Sequence, residues 1–306
     1  MYKRIINIAP STLTTEVHIL IRLDTSNFDY THVGIKGEDL RFYNSIDNTL
    51  LEHYIEKWNP IDESIIWVKV KSTTDSIYMQ YGETLPSISN PNAFLLFDHF
   101  DDNVVDTLKW NLFEGGTESG TELNMTGTTT NGPRLHSINK YGMSALRFSQ
   151  NLHIVAKGMV FLVATWIGGN AAEVGIHYEW TTPDKHVART RNVATLPIVT
   201  NITIPDYNGI YGIFDILYSP SNHTKFYIDN ILVTTVFESI TTPLPSTSLN
   251  LIWGVGRIGI STLIPTNILI DWIHVRNYDG NDYSITIGTE TTIIPCSTPV
   301  YTLILT

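Results

Sequence analysis

Alternation with a period of two residues restricts this chain more than any other feature of its sequence. In Glu16–Leu23, Val17, Ile19, Ile21 and Leu23 fall on one face, and His18 and Arg22 on the other. Ile66, Val68 and Val70 oppose Trp67 and Lys69, and Ile77, Met79 and Tyr81 oppose Tyr78 and Gln80. Successive side chains of a strand point to opposite faces of a sheet, so such runs bury one side. Turn residues separate them at Gly34, Lys36-Gly37 and Asp47-Asn48. No stretch before Gly82 keeps a helical period over a useful length. Residues 1–82 therefore read as a small antiparallel β-sandwich.

Residues 83–93 contain Pro86 and Pro91 among small polar residues, and read as a linker. Beyond them strands recur at Gly158–Ile167, Glu173–Trp180, Tyr211–Tyr218, Thr224–Ile228, Ile231–Phe237, Leu249–Trp253 and Asn267–Tyr278. Asp229-Asn230, between two of these, has the composition of a two-residue hairpin turn that needs positive φ. Many short strands with Gly and Pro turns predict a second, larger sandwich over 94–278. Residues 279–306 read as a C-terminal tail that adds a strand to its own sheet or to a neighbour's. The fold class expected is all-β throughout.

Composition narrows the setting. Of 306 residues only 16% are charged, against about 25% in an average soluble protein. Thr, Ile, Asn, Tyr and Ser fill the difference, and β-branched and aromatic residues suit a pleated surface. An uncharged polar surface is indifferent to pH and salt, which points to an extracellular place, on a virion or a cell surface. The net charge of −11 argues against general nucleic-acid binding, which needs clustered cations. No stretch reaches the roughly 18 apolar residues of a membrane span. Lys3 and Arg4 near the start are followed by no long apolar run, so the start is not a signal peptide. The expectation is a chain whose leader has been removed, or one released without a leader, as virion components are. Cys296 is the single cysteine, so an intrachain disulfide is impossible; it reads as a partly buried free thiol, with a disulfide between chains as the alternative.

Residues 2–82 resemble the domain of unknown function 2341. The matching blocks are Tyr2–Ile6, Leu23–Tyr30, Gly37–Phe42, Tyr54–Trp58, Ile66–Val70 and Ile77–Gly82. The resemblance implies a surface, secreted or phage protein and attaches no activity. Residues 94–278 resemble the concanavalin A-like lectin/glucanase superfamily, a jelly-roll sandwich. The marks are Phe97–Asp102 with Leu108-Lys109-Trp110, the hairpin Phe226–Ile231, and the closing strand Ile270–Arg276. In that superfamily the Asp of the closing strand helps hold a structural calcium. Asp271 is the matching residue, and Asp101 and Asp102 in the opening segment are its expected companions.

A retaining glycosidase needs two carboxylates about 5–5.5 Å apart. Residues i and i+2 of a strand lie roughly 6.6 Å apart, so catalytic carboxylates on one strand must be near neighbours. The nearest approach here is Glu173–Glu179, where Gly175 and His177 stand between the two acids. That spacing predicts no enzyme, with glycoside hydrolysis a remote alternative. Zinc, which needs three or four converging ligands, is not supported by His177, Glu179 and His186. Sugar binding uses aromatic faces and fixed polar groups, and the chain has 7 Trp and 15 Tyr. Tyr178 and Trp180 share a face with Val174 and Ile176 and read as core. The ligand-binding candidates are His177, Glu179, Trp166, Tyr211 and Trp253. The function expected is non-catalytic recognition of glycans or a host surface. The alternative is a structural or decoration protein that binds other virion or surface-assembly components. A homo-oligomer is expected in either case.

Overall fold

The structure, a computed structural model, describes residues 1–10, 13, 15–72, 74–113, 115–127, 133–154, 160–167, 173–179, 185–191, 198–201, 209–219, 222–237, 248–254 and 266–293. For residues 113, 127, 152–154, 160–167, 173, 176–179, 185–191, 198–201 and 266 only the backbone is described. Cys296 lies outside the described residues. Among the described residues the regular structure is β-strand apart from two short 3-10 turns, as expected, and the chain forms two compact units. The first comprises Met1–Ala93 together with Asp282–Thr306, and the second Phe94–Asn281.

In the first unit two antiparallel sheets enclose one core. The larger runs Ser284–Ile287, Tyr2–Ala9, Ser76–Tyr81, Arg41–Asn44 and Leu50–Leu51, with Thr291–Thr292 also paired to Tyr2–Ala9. The smaller runs Val17–Asp24, Glu63–Val70 and His53–Lys57. The alternation does what the sequence predicts: Val17, Ile19, Ile21 and Leu23 are buried with Ile66, Val68, Val70, Ile77 and Met79. Trp67, placed by alternation on the opposite face, is buried as well. Its indole N–H donates to Glu56 Oε2 at 2.7 Å, which satisfies the ring's one polar atom.

The structure adds two details to the chain's organisation. The residues read as a linker are tied to the first unit. Arg41 donates to the Pro86 carbonyl at 2.6 Å, Ser89 Oγ accepts from the Ile55 N–H, and the Asn90 N–H donates to the His53 carbonyl. His18 Nε2 lies 2.7 Å from the Ala93 carbonyl. The segment read as a tail returns to the first unit: Ile6 pairs with Ile287 and Ala9 with Ser284, while Tyr283, Ile285 and Ile287 pack on the first core. Non-local pairing of this kind leaves no mark in local sequence.

Buried polar groups fix the loops. The Asp39 carboxylate, 2% exposed, accepts N–H groups of Gly34, Gly82 and Glu83 at 2.8, 2.6 and 3.2 Å. Gly82 has φ +84°, and a Cβ there would sit 2.7 Å from the Tyr2 ring. His53 is packed edge-on against Phe42. Burial, and next the charge of Arg41, push its imidazole from 6.5 down to about 4. Below pH 6.5 the unfolded chain binds a proton that the folded chain refuses, so stability falls as pH drops from 6.5 towards 4. The loss should be on the order of 3 kcal/mol. Urea midpoints of the first unit at about pH 7 and about pH 4.5 should diverge, and in His53→Leu that divergence should shrink.

The second unit is a sandwich of two antiparallel sheets. Among the described residues one sheet has eight strands. Its order is Thr117–Ser119, Glu122–Gly127, Thr266–Asn277, Ser144–Ile154, Tyr211–Ser219, His223–Ile228 and Ile231–Phe237, with Leu96–Asp98 also on Thr266–Asn277. The other has seven: Ile198–Asn201, Lys185–Arg191, Glu173–Glu179, Val160–Ile167, Leu249–Gly254, Arg134–Tyr141 and Trp110–Phe113. Asp229 and Asn230 have φ of 47° and 67°, the turn that their composition predicts. Aromatic rings fill the middle of the core. Trp253 is edge-on to both Trp110 and Phe148, at 5.9 and 5.4 Å, and Phe148 stacks on Phe214.

Candidate functional site

The eight-stranded sheet carries a cleft of about 480 Å³ lined by Ser119, Gly120, Thr121, Glu122, Tyr211 and Asp271. Three separate strands build it. Glu122 opens Glu122–Gly127, whose Leu123 pairs with Ile270. Tyr211 opens Tyr211–Ser219 and pairs with Asn151. Asp271 stands between Ile270 and Trp272 at a register shift: Ser149 pairs with Trp272 and Gln150 with Ile270, so Asp271 has no partner across the strand. One extra residue in a strand re-aims its side chain, a device common at functional sites. Ile268, Ile270 and Ile273 go to the core, and Asp271 to the cleft.

The polar chemistry is concentrated. The Tyr211 hydroxyl donates to Glu122 Oε2. Burial, and then the Glu122 carboxylate, raise the Tyr211 phenol well above its ordinary value. Asp271 is half-buried, and burial raises its carboxyl above 3.8. The Glu122 charge adds to that rise, while the Ser149 hydrogen bond and the charge of His99 oppose it. Tyr211 keeps 43% of its surface exposed, so ring and hydroxyl are both accessible. The cleft thus offers two fixed carboxylates and an accessible aromatic ring, a set that can accept hydrogen bonds from several hydroxyls at once.

Two residues singled out from sequence, Tyr211 and Asp271, meet here. Others do not. Trp253 is fully buried at the centre of the core, which corrects its reading as a ligand contact. A large ring on the inner face of a central strand is worth more as packing than as a surface. Trp166 pairs with Val174, His177 with Val187, and Glu179 with Lys185. The side chains of Trp166, His177 and Glu179 lie outside the described residues. Glu122 and Ser149 were missed, because what brings them to Asp271 is sheet order, and Thr266–Asn277 lies between their strands.

The expected calcium companions are elsewhere. The Asp102 N–H donates to Glu118 Oε1 at 3.1 Å, and Asp98 Oδ2 accepts the Trp110 indole N–H at 2.7 Å. Burial raises the Glu118 carboxyl, helped by Asp102 and Asp98. Asp101 is exposed and does not line the Asp271 cleft. Among the described residues no three His, Cys, Asp or Glu side chains are placed to hold a metal. Asp101, Asp102 and Asp271 are therefore not brought together as a carboxylate cluster among the described residues.

The family model for the domain of unknown function 2341 matches residues 36–113. The match starts later than the sequence blocks suggest and runs on to Trp110–Phe113 of the second unit. No curated protein matches the sequence. Among solved structures, an uncharacterised protein of Mycobacterium paratuberculosis, described as an ortholog of Rv0315, superposes with a TM-score of 0.50 at 14% identity. The match covers 60% of this chain and 100% of that one. A β-glucanase of Bacillus licheniformis gives 0.48 at 15% identity, covering 60% and 97% of the two chains. The catalytic domain of an endo-1,3-β-glucanase (laminarinase) of Thermotoga petrophila gives 0.47 at 15%, covering 61% and 98%. The second unit shares a two-sheet β-sandwich fold with the Mycobacterium paratuberculosis protein. At such identities the likeness concerns the fold alone.

Proposed function

We propose that this chain is a non-catalytic recognition protein of an extracellular or virion surface, and that its sandwich binds glycan in the cleft of Glu122, Tyr211 and Asp271. The observation that carries the reading is the convergence of two carboxylates and an accessible tyrosine on a bulged strand. A saccharide presents several hydroxyls in fixed directions, and carboxylates accept two such bonds each without rearrangement. Nothing in Glu173–Glu179 supplies a catalytic pair, since its acids are six positions apart.

Asp271 makes the reading testable in two ways at once. A carboxyl raised by burial binds its proton more tightly when folded, so ionising it costs stability. That cost is absent below the unfolded value of 3.8, grows as pH rises through the folded value, and is complete above it. Asp271→Asn should therefore raise the melting temperature at about pH 7 and leave it unchanged below pH 3.8. The same variant, and Glu122→Gln, should weaken glycan binding at least about tenfold, the loss of a charged hydrogen-bonding partner. A glycan array followed by titration calorimetry reads both. A wild-type chain that binds no glycan overturns the reading and leaves the structural alternative.

One observation favours a second reading. A carboxyl raised by burial, with a second carboxyl in the same cleft, is the arrangement of a general acid with its partner. Release of reducing ends from a polysaccharide panel, abolished by Asp271→Asn, would replace recognition by hydrolysis.

A further inference from the structure

The first unit has a cavity of its own, about 680 Å³, lined by Arg4, residues 25–31, Pro60 and residues 287–289. That volume lies within the range of about 300–1,000 Å³ usual for small-molecule sites. Its walls are held from within. Asp24 Oδ1 accepts the Ser26 N–H and hydroxyl and the Asn27 N–H, and the Asn27 amide donates to the Arg22 carbonyl. Phe28 is buried, and the Arg4 guanidinium lies over its ring at 5.8 Å.

Two groups are left facing the space. Arg4 spends Nε on the Tyr81 hydroxyl and Nη1 on the carbonyls of Asn27 and Gly288. Its Nη2 comes only to 3.8 Å from Glu290, beyond hydrogen-bond range. Asp29 binds the Thr31 N–H and hydroxyl through Oδ1, while Oδ2 lies 3.8 Å from His32. The charge of Arg4 is felt at Asp29. A fixed donor and a fixed acceptor thus line one cavity.

We propose that this cavity is a second ligand site and that it takes a neutral saccharide. A sugar hydroxyl accepts from Arg4 Nη2 while it or its neighbour donates to Asp29 Oδ2. Thr25, Ser26 and Thr289 also line the cavity. The charges choose among ligands: Asp29 and Glu290 repel an anion, Arg4 repels a cation, and a neutral polyol meets neither penalty. The site is independent of the sandwich cleft and stands whether or not that cleft binds glycan.

The test is amide-shift mapping on the full-length chain with the methyl glycosides of glucose, galactose, mannose and N-acetylglucosamine, and with glucuronate as the anionic comparison. The expected result is saturable shifts in residues 25–31 and 287–289 with at least one neutral glycoside. Affinity should fall at least tenfold in Asp29→Asn, whose side chain is half-exposed, and in Thr25→Trp, which fills the mouth. Arg4→Met should do the same but also weakens the fold, so Asp29→Asn decides. Tighter binding of glucuronate than of every neutral glycoside overturns the ligand class. Absence of shifts in those residues, or binding indifferent to both variants, overturns the site.

Discussion

A chain ending at Asn281 should lose the cooperative fold of its first unit and keep its second sandwich. The deleted residues supply an entire partner strand to Tyr2–Ala9, from the pair Ile6 and Ile287 to the pair Ala9 and Ser284. They also remove Tyr283, Ile285 and Ile287 from the core, together worth several kcal/mol at about 25 cal/mol per Å² of apolar surface. The greatest single loss is Glu290. It accepts the Tyr81 hydroxyl at 2.5 Å, lies 2.9 Å from His32 Nδ1, and faces Arg4 at 3.8 Å with 19% of its side chain exposed. Removing it leaves the partly buried Tyr81 hydroxyl and His32 ring nitrogen without their carboxylate, a cost of about 1–3 kcal/mol for each group. A small domain has only about 5–15 kcal/mol in total. Glu290→Ala alone should lower the first unit's melting temperature by about 10–20 °C. Calorimetry, together with hydrogen exchange at Tyr2–Ala9 and Ser76–Tyr81, reads the effect. Full protection of those amides in the truncated chain would show that the C-terminal strand is dispensable.

Asp215→Ala should be the most damaging single change in the second unit. Asp215 sits on the eight-stranded sheet opposite Arg147 of the adjacent strand, and Arg276 reaches it from the strand beyond. Arg276 Nη2 donates to both of its oxygens at 3.0 and 2.9 Å, and Arg147 Nη1 approaches at 3.5 Å. All three are nearly inaccessible: Arg147 is 1% exposed, Arg276 5% and Asp215 7%. Deleting the carboxylate removes an acceptor that two buried arginines share, a penalty of about 3–5 kcal/mol. The pairing is interdependent, so Asp215→Ala with Arg276→Met should recover part of the loss, the signature of a coupled site. Denaturant midpoints of the single and double variants measure it. Strict additivity of Asp215→Ala and Arg276→Met would mean that the carboxylate does not hold these arginines.

These two cases also mark what was legible before any coordinates. The inward face of Val17–Asp24, the Asp229-Asn230 turn and the closing strand through Asp271 and Trp272 each follow from a short run of sequence. Their causes are local, either the two-residue period of a strand or the positive φ that Asp and Asn tolerate. Arg134–Tyr141, Ser144–Ile154 and Lys185–Arg191 were not legible, though they are strands of ordinary length. Ser144–Ile154 is the clearest reason why: Arg147, Ser149 and Gln150 are all buried, so its inner and outer residues do not divide by polarity. Sequence patterning detects a strand only when one of its faces is wet.

The candidate site divides in the same way. Tyr211 and Asp271 drew notice singly, one for its aromatic ring and one for its place in a familiar closing strand. Trp253 drew notice for the same reason as Tyr211 and proved to be core, since composition does not say which face of a strand is covered. The alternation with which the chain announces itself determined that it would be all-β, that it would have two sandwiches, and where most strands would run. Only the tertiary structure decided that the last strands belong to the first unit, and that Glu122, Tyr211 and Asp271 share a cleft. Local patterns record which residues must leave water. Sheet order and register, settled by pairings as distant in sequence as Tyr2 with Thr292, record which residues meet.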